Sequence, residues 1–406
     1  MKQFWKSLAI AFLALATHAT AFGQAVTLSR PLPPSSICVD DVCSSPEQAS
    51  SGGIKWNPGH YVRPDELFFI ANSGERRAIY NTVRNVPQVR GALIAVPWGM
   101  IEKREGVYDW SSLDEEIEYL ASMGKKVMIE VHFRKFGGNI PSLPQGNDRL
   151  YLPDYIIQKG WVGSNTDDVG GYSARLDIAG CMDRFVALFK ALADRYDANP
   201  ALEHVIASET SLALSDSGFR YDSLMAQQKR LLTALKGMFH STHFSIMNNF
   251  MNGGGTPEIE TREFTYQMVQ LGVGVSVPDI LPPSGGATYD NWNMLAYRGA
   301  GVVGGHSFGT TDLRGSVPSV ANQEVIFKSG FTPQNLYSHA VQSYGATHIV
   351  WTAHGGSYGG MPVTRTSPAV DMPGMRWTDG VLPYLKTNNL PVRSACPTKF
   401  NGACRS

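Results

Sequence analysis

The sequence predicts an α/β fold, a (β/α)₈ TIM barrel with inserted loops. From about residue 54 almost to the end, apolar strand-like runs alternate with segments of helical period, and eight such units can be counted. The runs are continuously apolar, which is typical of parallel strands covered by helices. The alternative, an open doubly wound sheet, usually has a Gly-rich phosphate loop after its first strand, whereas this chain has "WNPGHYVRPDE" there.

The first half of the chain predicts four strands. They are expected in "GGIKWNPGHYV", "RGALIAVPWGMI", "KKVMIEVHF" and "EHVIASE". The helices between them are predicted in "GERRAIYNTVRNVPQV", "SSLDEEIEYLASMG" and "CMDRFVALFKALADRYDAN", of which the second begins with the Ser and acidic residues that helix N-termini prefer. A long irregular loop from Arg134 to about Leu176 separates the third strand from its helix.

The second half repeats the alternation with one ambiguous strand. Strands are predicted in "HFSIMNNF", "VGVSVPDIL" and "ATHIVWTAH", and helices in "YDSLMAQQKRLLTALKGMF", "REFTYQMVQLG", "NWNMLAYRGAG", "PQNLYSHAVQSYG" and "GMRWTDGVLPYLKTN". The seventh strand has two candidates, "GVVGGHSF" and "GSVPSVANQEV".

The N-terminus predicts export. Lys2 and Lys6 precede an apolar run over residues 8–16, and small residues follow, so residues 1–24 are interpreted as a secretory signal peptide. The apolar run is too short to span a membrane. We therefore expect a secreted or periplasmic protein with a Pro/Ser-rich lead-in over residues 25–53, a barrel over 54–390 and a C-terminal tail over 391–406.

The balance of charged residues limits the classes of partner that this chain could bind. Lys plus Arg and Asp plus Glu number 35 each, so nothing indicates nucleic acid or a polybasic membrane contact. A monomer is expected.

The cysteines suit an exported protein and predict two short-loop disulfides, Cys38–Cys43 and Cys396–Cys404, with Cys181 left over in a helix. A bridge between the two pairs remains an alternative.

Polar residues that close the strands are the candidate site, since the active site of such a barrel lies at the C-terminal strand ends. The set is rich in carboxylates, amides, His and Trp, which suits sugars, and it shows no metal-binding His pattern. In strand order it comprises Asn57, His60, Trp98, Glu102, His132, Arg134, Ser208, Glu209, Asn248, Asn249, Asp279, His306 or Asn322, Gln323 and Glu324, and finally Trp351 and His354.

The segment "PWGMIEKREGVYDWSSLDEEIEYLASMGKKVMIEV" resembles the second and third units of clan A glycoside hydrolases, the cellulase and β-mannanase-like barrels. The resemblance implies a retaining glycosidase that uses no cofactor and acts on a polysaccharide or oligosaccharide. It assigns the acid/base to Glu209 at the end of strand four and the nucleophile to Glu324 at the end of strand seven. It also implies that Trp351 floors the sugar subsite.

Two departures from the family pattern keep alternatives open. Ser208 precedes Glu209 where the family has an Asn that bonds the sugar 2-hydroxyl, and "VPDIL" replaces a Tyr or His near strand six. Asp279 is an alternative second carboxylate, in an inverting enzyme. The other readings are a barrel that binds glycans without cleaving them and a metal-dependent hydrolase or lyase, in which His60, His132 and His306 would cluster around the metal. The expected substrate-binding residues are Trp98, His132, Asn248, Asn249, Asp279 and Trp351.

Overall fold

A computed structural model describes most of the barrel and the segments that close it. The described residues are 53–64, 73–135, 139–143, 151–165, 171–212, 214, 218–248, 259–277, 280, 307–311, 332–353, 377–394, 396 and 404–405. The predicted signal peptide, the lead-in, Cys38 and Cys43 lie outside them.

Eight parallel strands close into a barrel, so the predicted fold class is confirmed. Each strand pairs with its neighbours in chain order, and the eighth pairs with the first. The strands are β1 (Gly59–Pro64), β2 (Val89–Pro97), β3 (Lys126–His132), β4 (Leu202–Ala207), β5 (His243–Met247), β6 (Gly274–Val277), β7 (Ser307–Thr311) and β8 (His348–Ala353).

Helices pack around the outside of the strands. In α3, for example, buried residues recur every three or four positions, at Cys181, Phe185, Leu188 and Leu192, and this apolar stripe faces the sheet. The described outer helices are α1 (Ser73–Val83), α2 (Ser111–Ser122), α3 (Ala179–Tyr196), α4 (Tyr221–Met238), α5 (Ile259–Gln270), α6 (Pro333–His339) and α7 (Leu382–Thr387). Wider π-type turns continue α6 through Ala340–Tyr344 and precede α7 over Trp377–Val381.

Two predicted strands differ from the structure. The first strand begins at Gly59, near the end of the segment predicted for it, because Ile54–Lys55 pairs instead with Cys404–Arg405. The seventh strand is Ser307–Thr311 and shares only its first two residues with the candidate "GVVGGHSF". The second candidate, "GSVPSVANQEV", and the predicted helix "NWNMLAYRGAG" lie outside the described residues.

The C-terminal tail closes the N-terminal end of the barrel, which we call the floor. Besides its backbone bond to Arg405, Trp56 donates its indole N–H to the carbonyl of Ser394 at 2.9 Å. The disulfide Cys396–Cys404 holds the tail in this position and confirms that predicted pair. Cys181 is buried in α3 as a free thiol, as predicted.

The loop after β3 is more regular than predicted. Arg134–Lys135, Val162–Ser164 and Tyr172–Ala174 form a three-stranded antiparallel sheet, and a short helix covers Asp154–Gln158. A bridge between Asn165 and Leu214 ties this loop to the one after β4. The two loops therefore form one wall beside the C-terminal end of the barrel, which we call the mouth.

The loop after β2 is also ordered. A single helical turn, Trp98–Ile101, follows the strand, and Glu102–Arg104 then pairs with Val107–Tyr108 as a hairpin. In the part of the chain that the structure describes, no helix has the length and apolar character needed to cross a membrane.

Candidate functional site

Glu209 lies at the mouth, two residues beyond the end of β4. Its side chain is 22% exposed, and its Oε2 lies 3.5 Å from Nη2 of Arg134. Arg134 belongs to the small sheet after β3 and also donates to the carbonyl of Ser211. Burial lowers the pKa of Arg134, and the charge of Glu209 opposes that effect. The guanidinium therefore holds both the carboxylate and the chain that follows it.

Glu130 is the centre of a polar cluster inside the mouth. It lies within β3 and is 1% exposed, and His132 follows on the same strand face, as residues two apart do. Nε2 of His132 lies 3.0 Å from Oε1 of Glu130, and Nη1 of Arg63 lies 3.6 Å from Oε2. The hydroxyl of Ser208 donates to Oε1 at 3.2 Å. We call these four residues the Glu130 cluster.

The Glu130 cluster contains a charged carboxylate. Burial alone would raise the pKa of Glu130, but the charges of His132 and Arg63, with hydrogen bonds from His132 and Ser208, outweigh it and lower the pKa to about 2. Glu130 is therefore ionised at neutral pH and stabilises the positive charge of Arg63.

Among the described residues, the mouth offers a ligand the accessible carboxylate of Glu209 and the partly accessible imidazole of His132. Glu209 and His132 are 22% and 18% exposed, whereas Glu130 is enclosed. A carboxyl group in such a position can exchange a proton with a bound oxygen, and an imidazole can hydrogen-bond a hydroxyl group.

Trp98 and Glu102 form a structural unit behind the mouth. Trp98 is fully buried, contacts Phe185 and donates its indole N–H to Glu102 at 2.6 Å. Glu102 also accepts hydrogen bonds from Tyr155 and Arg184. The predicted sugar contact of Trp98 is thus not supported by its position, because the ring packs against the helix layer.

Asn248 follows β5 but does not face the mouth. It is fully buried, and its amide group donates to the carbonyl of Thr261 and the hydroxyl of Thr265. Its oxygen accepts from Thr210. Asn248 therefore anchors α5 to the end of β5, and its predicted contact with substrate is not supported by this position.

Trp351 lies on the outer face of β8. His348 points into the barrel, where its ring contacts those of Tyr61 and His204, so Trp351, three residues later, faces the opposite side. It is fully buried and donates its indole N–H to Nδ1 of His60 at 2.9 Å. Its position behind the sheet does not support the implied role as the floor of a sugar subsite.

The prediction that Asn57 and His60 close the first strand is wrong, because β1 begins only at Gly59. Asn57 precedes the strand and donates to Glu203 at the floor. His60 faces outward, and its Nε2 lies 2.9 Å from the carbonyl of Leu390. The residue near the end of β1 that reaches the mouth is Arg63.

The other predicted site residues lie outside the described residues. They are Asn249, Asp279, Glu324, His306, Asn322, Gln323 and His354.

Sequence reasoning did not identify Glu130 or Arg63. Glu130 interrupts the apolar run "VMIEV" and precedes His132 by two residues, so a carboxylate on the same face of a buried strand was the available signal. Arg63 was missed because the first strand was predicted to end earlier than it does.

Among the described residues, no group of three or more His, Cys, Asp and Glu side chains is arranged to hold a metal ion. His60 and His132, which the metal-dependent reading brings together, lie on different sides of the barrel wall. The third member of that set, His306, lies outside the described residues.

Three solved structures relate this fold to known proteins. The catalytic domain of beta-amylase from Paenibacillus polymyxa has a TM-score of 0.52 at 10% sequence identity, and the match covers 74% of this chain and 93% of the beta-amylase chain. GH5_18 from Bifidobacterium longum has a TM-score of 0.47 at 14% sequence identity, and the match covers 86% of this chain and 77% of that protein. Endo-glycoceramidase II from Rhodococcus has a TM-score of 0.43 at 14% sequence identity, and the match covers 79% of this chain and 80% of that protein.

The likeness to the beta-amylase domain shows a shared barrel fold. The beta-amylase domain alone of the three exceeds a TM-score of 0.5, and its low identity limits the comparison to architecture. No protein-family model and no curated protein matches the chain.

Proposed function

We propose that this chain is an exported glycoside hydrolase that cleaves a polysaccharide or oligosaccharide by a retaining mechanism. The observation that carries the proposal is Glu209, an accessible carboxyl group at the end of β4, with Arg134 at 3.5 Å. Active sites of (β/α)₈ enzymes lie at this end of the barrel. The resemblance of the sequence to clan A glycosidases supports the same position for the acid/base.

The proposed reaction uses two carboxyl groups. Glu209 gives its proton to the glycosidic oxygen as that bond breaks, while Glu324 attacks the anomeric carbon and forms a glycosyl ester. Glu209 then takes a proton from water, whose oxygen displaces Glu324 and releases the sugar. Glu324 enters from the resemblance, and Asp279 is the alternative second carboxyl group in an inverting reaction.

Export is part of the proposal. The signal-like residues 1–24 predict it, and the disulfide Cys396–Cys404 fits an oxidising compartment. The expected substrate is a neutral glycan, and the wall formed by the loops after β3 and β4 would border its cleft.

Glycan binding without cleavage is the second candidate. Ser208 favours it, because its hydroxyl donates to Glu130 and the sugar contact of the family Asn has no counterpart there. In that case the mouth would bind sugar while Glu209 transfers no proton.

The test is an assay of the unchanged protein and Glu209→Gln against a panel of β-glycans. We expect cleavage of at least one glycan and a fall in kcat of about 10³-fold in the variant, since a general acid contributes 10²–10⁴-fold. Proton NMR of the first-formed anomer distinguishes retention from inversion. Equal activity in both proteins would contradict the acid/base role, and binding without cleavage by the unchanged protein would support the second candidate.

A further inference from the structure

We propose that Glu130 is a positioning residue for this mouth, which holds His132 and Arg63 in place and fixes the end of β4 that carries Glu209. This inference rests on the proposed function. It goes beyond that function by assigning a role to a carboxylate that is too deeply buried to contact substrate.

The contacts of Glu130 connect three strands. His132 lies on the same strand, Ser208 follows the neighbouring β4, and Arg63 is on β1, two strands away in the barrel wall. The residue of β2 that pairs with Glu130 is Ala95. Its short side chain leaves the space through which Arg63 and Glu130 approach each other.

Burial makes these contacts obligatory. Glu130 and Arg63 have 1% and 8% of their side chains exposed, and a charge with so little access to water is costly unless it is paired. Neutralising Glu130 therefore removes the negative charge that lies 3.6 Å from Arg63, so we expect the Arg63 side chain to change position. His132 loses the same anchor.

Ser208 connects this cluster to Glu209. The two residues are adjacent, so the hydrogen bond from Ser208 to Glu130 restrains the backbone from which the Glu209 side chain projects. A displacement of about 1 Å at a reacting group can reduce a rate by about 10²-fold. Glu130 can thus influence the rate without touching the sugar.

The barrel itself supplies a matched control. At the floor, Glu203 is also 1% exposed and lies 3.2 Å from Nε2 of His348. Glu203→Gln and Glu130→Gln make the same chemical change at two equally buried glutamates, each of which lies beside a histidine. Only Glu130 belongs to the mouth.

The experiment measures kcat, KM and the thermal midpoint for the full chain and for Glu130→Gln, Glu130→Asp and Glu203→Gln, on a glycan that the unchanged protein cleaves. We expect kcat to fall about 100-fold in Glu130→Gln with KM within about threefold. Glu130→Asp, which keeps the charge, should recover kcat to within about tenfold of the unchanged protein. Glu203→Gln should keep kcat within about twofold.

Crystal structures of the unchanged protein and Glu130→Gln complete the test, and we expect new side-chain positions for His132 and Arg63. If Glu130→Gln does not fold, the double variant Arg63→Met/Glu130→Gln removes both charges and should show the same loss of kcat. Unchanged kcat in the folded variant would overturn the positioning role, as would unmoved His132 and Arg63. If the unchanged protein itself cleaves no glycan, that result would instead overturn the proposed function.

Discussion

The two ends of the barrel each contain a buried glutamate beside a histidine, and their surroundings differ. At the mouth, His132 is 18% exposed, and Glu130 also contacts Arg63. At the floor, His348 is fully enclosed, and its ring packs against those of Trp56 and Tyr61. The same pair of residue types is therefore open to a ligand at one end and part of the packed core at the other.

Protonation distinguishes the two ends further. At the mouth, positive neighbours lower the pKa of Glu130 to about 2. At the floor, burial lowers the pKa of His348, and burial together with the neighbouring histidines lowers that of His204. Charge is thus retained where a ligand can enter and is avoided on the histidines of the closed core.

The largest effect expected from the floor is a loss of stability in acid. Burial lowers the pKa of His60 to about 4 and that of His243 to about 3, against 6.5 for an exposed histidine. Below about pH 6.5 the unfolded chain binds protons there and the folded barrel does not. Above pH 6.5 these neutral histidines therefore do not reduce the free energy of unfolding. As the pH falls below 6.5, the free energy of unfolding decreases by up to about 1.4 kcal/mol per pH unit for each histidine.

Urea unfolding at pH 7.5, 6 and 5 measures this slope. His243→Phe is the control and should show a weaker dependence on pH, because one of the titrating groups is gone. Equal unfolding free energies at pH 7.5 and 5 would show that these histidines are not neutral in the fold.

The next largest effect is expected for Glu203→Gln. Its carboxylate accepts bonds from the backbone and side chain of Asn57 and contacts His348. Hydrogen bonds to charged groups contribute about 1.5–3 kcal/mol each, so we expect a loss of stability of about 2–3 kcal/mol. Chemical unfolding measures the loss and a glycan assay should show no change in kcat, whereas a large fall in kcat would end the distinction between floor and mouth.

A smaller effect is expected for Trp351→Phe. The variant loses the hydrogen bond to His60 and part of a buried ring, which should lower stability by about 1–2 kcal/mol. Because the ring lies behind the sheet, KM should change less than about twofold. A tenfold rise in KM in a stable variant would restore the sugar-platform role for this tryptophan.

The smallest effect is expected for Ser208→Ala. One neutral hydroxyl leaves the Glu130 cluster, while Arg63 and His132 still pair with the carboxylate. We expect a loss of stability of about 1 kcal/mol and a fall in kcat below about tenfold. A loss as large as that of Glu209→Gln would indicate that Ser208 contacts the substrate directly.

The barrel could be predicted because apolar runs of strand length and amphipathic helices leave strong signals. The least apolar strand, Ser307–Thr311, was the one left ambiguous, since "SFGTT" has no continuous hydrophobic run. The ordered sheet after β3 was missed for the same reason, as its strands have only two or three residues.

The site was harder to predict because both faces of a parallel strand are buried. The sequence around "HIVWTAH" does not show whether His348 or Trp351 faces the interior, and the structure places His348 inside. Asn248 likewise follows a strand but turns to bond α5. Position at a strand end indicated Glu209, His132 and Arg134, whereas side-chain direction and long-range pairing, as for Arg63 and Glu130, required coordinates.

The most direct test of the account is a crystal structure of Glu209→Gln with an oligosaccharide that the unchanged protein cleaves. We expect the sugar at the mouth, with a glycosidic oxygen within about 3 Å of the side chain at position 209 and a hydroxyl group within hydrogen-bond distance of His132. A sugar bound away from the mouth, or one whose glycosidic oxygen cannot reach position 209, would contradict the proposed role of this end of the barrel.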